Sequence, residues 1–156
     1  MDDALDRARQ FLDRRTTAAF LATSGRERQP EITPVLAPRL TPEGLLAVGE
    51  EAQVGGSAFR HLRVEPRATL LLLDPVSDPR SRDGVRLLLE FEGAEVDGPE
   101  LAHLCEWLAA FAPGRRVVRR LLFRVRGVQP YRAEAASAGT PPGAAPGTVT
   151  GSPGRA

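Results

Sequence analysis

The chain has 156 residues and a formal net charge of +1, from 21 basic and 20 acidic residues. That length suits one domain, and that balance excludes a global field able to recruit nucleic acid or an anionic membrane. All the basic side chains are arginine and Cys105 is the only cysteine, which excludes lysine Schiff-base chemistry, an internal disulfide and a thiolate metal cluster.

The first residues, MDDALDRARQ, are acidic and mixed, unlike a secretory signal. Residues Asp3–Arg15 carry Ala4, Leu5, Ala8, Phe11 and Leu12 at helical spacing, which predicts an amphipathic helix. Thr17–Thr23 is a short apolar run closed by a polar turn and predicts the first strand. Pro30–Pro38 reads as extended, because each proline disfavours helix in the residue before it. Pro34 removes a ladder donor in mid-run, which points to a rim, a bulge or an edge. Leu45–Gly49 makes a hairpin with it across the turn Thr41–Gly44. A brief helix, Ala58–Val64, follows the Gly55-Gly56 loop and stops before Pro66, with Ser57 as its N-cap.

Arg67–Leu73 is an apolar strand. Its leucine run, Leu70–Leu73, is far too short to cross a bilayer, so no membrane association and a cytoplasmic location are expected. In Val85–Val96, Val85, Leu87, Leu89 and Phe91 alternate, and a bulge at Gly93 brings Ala94 and Val96 onto the same face. Pro99 opens a helix to Phe111 with Leu101, Leu104, Cys105, Leu108 and Phe111 on one stripe. Val117–Val128 returns as a strand, Phe123 and Val125 inward. Residues 133–156 are almost wholly Ala, Gly, Pro, Ser and Thr, and predict a disordered tail after a folded part ending near Arg132. Strands that follow one another without regular helical crossovers predict a mainly β (α+β) fold: a six-stranded antiparallel barrel with flanking helices.

Charge is segregated along the second half. Six acids and no arginine lie between Glu90 and Glu106, while seven arginines and no acid lie between Arg115 and Arg132. An anion or nucleic-acid patch is one reading. Cross-strand pairing of Glu90 and Glu92 with Arg124 and Arg126 is the plainer one, and few aromatics are left for stacking bases. The chemistry absent is equally informative. No Rossmann or phosphate-loop spacing follows a strand. His61 and His103 belong to no close ligand cluster, so no metal site is expected; each reads first as a packing or surface residue, His61 being the more interesting. No nucleophile–base set and no catalytic acid or base stands out, so any chemistry needs a bound cofactor.

The succession Ala22–Ser24, a turn, Pro30–Val35 (PEITPV), a hairpin, then Ser57–Pro75 (SAFRHLRVEPRATLLLLDP) resembles the pyridoxamine 5'-phosphate oxidase-like family. Weaker similarity runs on into LFRVRGVQPYR, so the resemblance spans about residues 8–132. It implies a split barrel, a homodimer, and FMN in clefts at the subunit interface. It also implies that Ile32, Thr33 and Pro34 run beside the flavin ring. Val48 and Gly49 would lie near ring or phosphate, and Ser57, Arg60 and Arg63 near the phosphate. Two positions depart from the family pattern: Ala58 replaces a basic residue, and Val48-Gly49 replaces a Ser or Thr. The implied function is a flavin-dependent oxidoreductase acting on a small-molecule substrate. The alternative is a non-catalytic barrel that has lost flavin or binds deazaflavin or heme, with His61 or His103 as the heme ligand.

Overall fold

The computed structural model describes residues 2–14, 18–26, 29–52, 58–74 and 83–132. Ser57, the Gly55-Gly56 loop and the 133–156 tail lie outside them. In chain order the elements are α1 (Asp2–Leu12), β1 (Ala18–Ser24), β2 (Pro30–Pro34), β3 (Leu36–Leu40), β4 (Leu46–Glu51), α2 (Ala58–Leu62), β5 (Arg67–Leu73), β6 (Asp83–Glu95), α3 (Pro99–Phe111) and β7 (Val117–Arg132). Every strand pairing is antiparallel, in the order β2-β1-β5-β6-β7-β4-β3.

That order fixes the shape. β2 and β3 are the two ends of the ordering, yet only Val35 separates them in the chain. Laid flat, seven strands would hold those ends about 29 Å apart at ~4.8 Å per strand, whereas one residue spans at most ~3.6 Å. The sheet must therefore roll up until its ends meet. β2 and β3 are one bent stave, so seven segments make the six staves expected from sequence. The bend follows from Pro34, which cannot donate to a ladder. Val35 donates its N–H to the Ala19 carbonyl at 3.0 Å, Leu36 already pairs with Gly49, and Ala37 turns the chain with a φ of +43°.

The barrel interior is filled by one face of each strand. Leu21, Leu46, Leu70, Leu72, Leu121 and Phe123 are fully buried there, with Ala8 and Phe11 of α1 packed among them. Two bulges twist the long β6–β7 ribbon: Glu92 is the extra residue on β6 and Arg126 the extra residue on β7. The Gly93 phase slip is thus a register shift between Phe91 and Gly93. Val96 falls beyond the strand and is exposed. Gly98, at φ +107°, turns the chain into α3, whose Leu101, Leu104 and Leu108 pack with Val117, Leu36 and Ala37 as a second small core. Phe111 leaves the stripe assigned to it: as the last residue of α3 it is 73% exposed and its ring meets Trp107 at 5.2 Å. No helix among the described residues is long and apolar enough to cross a membrane.

The segregated charges meet across the strands. Arg124 bonds Glu92 at 2.6 Å and Arg126 bonds Glu90 at 2.5 Å. Arg120 bonds Glu95 at 2.7 Å, and Arg115 pairs with Glu51. The arginine-rich segment is therefore largely matched by its own neighbours.

Candidate functional site

At the β2–β3 bend the rolled sheet leaves a cleft of about 700 Å³ between the end of α1 and the outward side of α3. Val35, Leu36 and Pro38 line it from the bend, and His103, Trp107 and Phe111 from α3. Those three recur every four residues, so one helix face presents an aromatic wall while the leucine stripe faces β7. Trp107 is the only tryptophan of the chain and is 44% exposed. Arg39 also lines the cleft and has no ion-pair partner among the described residues. Arg14, on the same rim, is bonded to Asp74 at 2.5 Å. The positive φ of Ala37 lies in the floor, in a segment where the ladder with β4 skips from Leu36 to Arg39. Largely apolar walls, a stacking surface and a cation without an ion pair among the described residues, with Asp13 as the carboxylate of the described lining, together suit a planar ring that carries an anionic group.

A second cleft, of about 780 Å³, lies at the other end of β2, between the β1–β2 turn and α2. Arg26, Gln29, Glu31, Arg60, His61 and Val64 line it. His61 Nδ1 is 3.2 Å from Thr23 Oγ1 and 3.4 Å from Glu31 Oε2. Its ring lies on Gly25, where an added Cβ would come within 3.0 Å of the imidazole.

Between the clefts, Glu50 carries an unforeseen charge into the barrel. It follows Leu46 and Val48 on the inward face of β4 and is 4% exposed. Its Oε1 accepts the Phe59 N–H at 3.1 Å, so a carboxylate of the chain itself takes up a free donor of the first turn of α2. Arg119 Nε stands 2.8 Å from Glu50 Oε2, yet neither atom has a hydrogen bond of sound geometry. The pair is an ion pair by distance only. The Arg119 guanidinium also covers the Phe59 ring at 4.3 Å.

The residues singled out by the family resemblance are spread over these features. Ile32 is 69% exposed, Pro34 is exposed, and Thr33 is buried on the inward face. Pro34 leads directly into the bend. Val48 is buried in the barrel core, while Gly49 faces α3, its missing Cβ leaving room for Leu104 and Leu36, both lining the first cleft. Arg60 lines the second cleft instead, and Arg63 stands 6.0 Å from the centre of the Phe59 ring. The structure thus brings Pro34 and Gly49 to the bend and keeps the α2 arginines apart from them. Arg39, Trp107 and Glu50 were not anticipated. Only the His103, Trp107, Phe111 spacing signalled any of this in the sequence.

Solved structures share this architecture, which is the split β-barrel. The chain is similar to an FMN-binding protein from Syntrophomonas wolfei subsp. wolfei, at 16% identity and a TM-score of 0.66, over 83% of this chain and 86% of that one. It is also similar to a Clostridium acetobutylicum protein of the pyridoxinephosphate oxidase family, related to general stress protein 26 of B. subtilis. There the identity is 17% and the TM-score 0.58, over 85% and 90% of the two chains. An F420 reductase matches at 16% identity and a TM-score of 0.53, over 77% and 94%. No protein-family model matches the chain and no curated protein matches its sequence. At these identities the likeness is one of fold.

Proposed function

We propose that this chain is a flavin-nucleotide-binding split barrel, an oxidoreductase that holds FMN at the β2–β3 bend and works on a small molecule. The aromatic-walled cleft, with an Arg39 that has no ion-pair partner among the described residues, carries the reading. Trp107 and Phe111 would hold the planar ring, Pro34 and Val35 would border it, and Arg39 would meet the anionic arm. A flavin bound there supplies electron transfer; the protein orients it and excludes water. A deazaflavin shares the ring and the anionic tail, and the F420 reductase among the fold neighbours keeps it as the alternative cofactor.

A second copy of the chain completes the proposal. Ile32, Ala22, Thr69 and Leu88 are successive cross-strand neighbours on the outward sheet face, with Pro34, Phe20 and Leu71 in the next row. A half-exposed apolar face across four strands is the kind of surface a homodimer buries.

One observation favours a rival reading, a barrel without cofactor. Glu50 places a negative charge on the Phe59 N–H, next to the start of α2 where the family resemblance puts a phosphate. An absorbance spectrum of purified chain, before and after adding FMN and desalting, decides between them. Retained yellow colour with a band near roughly 450 nm supports the flavin reading. A band near roughly 420 nm marks the deazaflavin, a sharp Soret band marks heme, and a colourless protein supports the cofactor-free barrel.

A further inference from the structure

Asp13 brings a carboxylate to the wall of the bend cleft, and nothing in the packing of the fold accounts for it. It follows α1 directly, its N–H still bonded to the Arg9 carbonyl at 2.9 Å. Phe11 before it is buried in the barrel core and Leu12 lines the cleft, so the backbone that carries Asp13 is held in place. An acid at the C-terminal end of a helix lies against the helix dipole, where a basic residue would be favoured. The carboxylate has no ion pair and no hydrogen bond among the described residues. Arg14, next in the chain, is bonded to Asp74 at 2.5 Å, and Arg39 of the same cleft forms no ion pair with Asp13.

A planar ring that fills the cleft strips water from Asp13 and Arg39 together. Burying a charge without a partner is costly, so the ligand must bring a donor to the carboxylate as well as an anion to the guanidinium. His103, on the facing wall, can donate or accept and constrains the ligand less. A purely anionic ring would answer Arg39 and repel Asp13. A ring with an imide N–H on one edge and an anionic arm answers both. We infer that Asp13 selects the ring edge: its carboxylate accepts the imide N–H of the flavin's pyrimidine ring and so orients the ring against Trp107. The inference rests on the flavin reading of the bend. It extends to a deazaflavin, which keeps the imide, and disfavours heme, which has none.

The test titrates the full chain with FMN and with FMN methylated at the imide nitrogen, following Trp107 emission to its plateau. In the unsubstituted chain the methylated flavin should need about tenfold more ligand to reach its midpoint, the usual loss of one charge-assisted bond. In Asp13→Leu the two midpoints should coincide. Leucine is no smaller than aspartate, so a difference caused by crowding of the methyl group would survive that substitution, whereas one caused by the lost acceptor disappears. Arg39→Gln should weaken both flavins equally and keep their ratio. Equal midpoints in the unsubstituted chain, or a ratio that persists in Asp13→Leu, overturn the role of Asp13 while a saturable quench leaves the flavin site standing. No saturable quench by either flavin overturns the site itself and the inference with it.

Discussion

Glu65 and Arg67 are two residues apart at the start of β5, and their side chains form a fork of two bonds, at 2.8 and 3.1 Å. That side-chain bonding, with the Arg67 N–H adding to it, holds the Glu65 carboxyl down to about 2. A depressed carboxyl contributes its stabilisation above the ordinary carboxylate range and loses it as pH falls through the folded value. The window for this pair therefore runs from the ordinary range of about 4.3 down to about 2. A carbon-detected NMR titration should find the Glu65 midpoint near the bottom of that window, and Arg67→Gln should return it to the ordinary range. Two interior positions are more costly to change. An added Cβ at Gly84 would lie 2.6 Å from the Leu72 carbonyl oxygen, which is backbone and cannot rotate away. Gly84→Ala should destabilise the barrel by ~2–3 kcal/mol in urea unfolding. Glu50→Gln removes the counter-charge of Arg119, which keeps only a quarter of its side chain in water, and should cost ~2 kcal/mol.

At the scale of elements, legibility followed how many neighbours each face has. Phe123 and Arg124 alternate on a strand with one wet face, so both the core side and the Glu92 pairing could be read from spacing alone. The same alternation failed on β4, where residues 46 to 50 are all buried. That strand is covered on one side by the barrel core and on the other by α3, and sequence does not reveal a second cover. Glu50 was consequently invisible as an interior charge, and Gly49 as the seat of Leu104. Phe111 misled for the opposite reason. Its helical phase matches the leucines, but the helix outruns the sheet it packs on. Pro34 did announce an irregularity, though not that the chain crosses there between the two ends of the strand order. Because α3 is both wall and cover, Leu108→Ala should cost ~2–4 kcal/mol and loosen the aromatic wall with it. Thermal unfolding gives the first effect, and a red shift of Trp107 emission the second.

For the whole molecule, rolling the sheet produces three things together: a sealed core, a cleft at the bend and an outward apolar face. The fold was readable from the order of short strands and the PEITPV and RHLRVEPR segments. The site was less so, because Arg39 and Trp107 meet only through the closure of the barrel. If the outward face is the homodimer interface, Leu88→Arg should convert the protein to monomers in analytical ultracentrifugation while leaving its circular dichroism unchanged. Monomers before the substitution would leave that face without its proposed partner.

The most direct test of the flavin site uses Trp107, the only tryptophan, as its reporter. FMN titrated into the chain should quench its emission to a plateau, and Arg39→Gln should move the midpoint to about tenfold higher FMN, as expected for one lost charge-assisted bond. Emission that falls only in proportion to added FMN, or a midpoint indifferent to Arg39, would contradict the placement of a flavin at the β2–β3 bend.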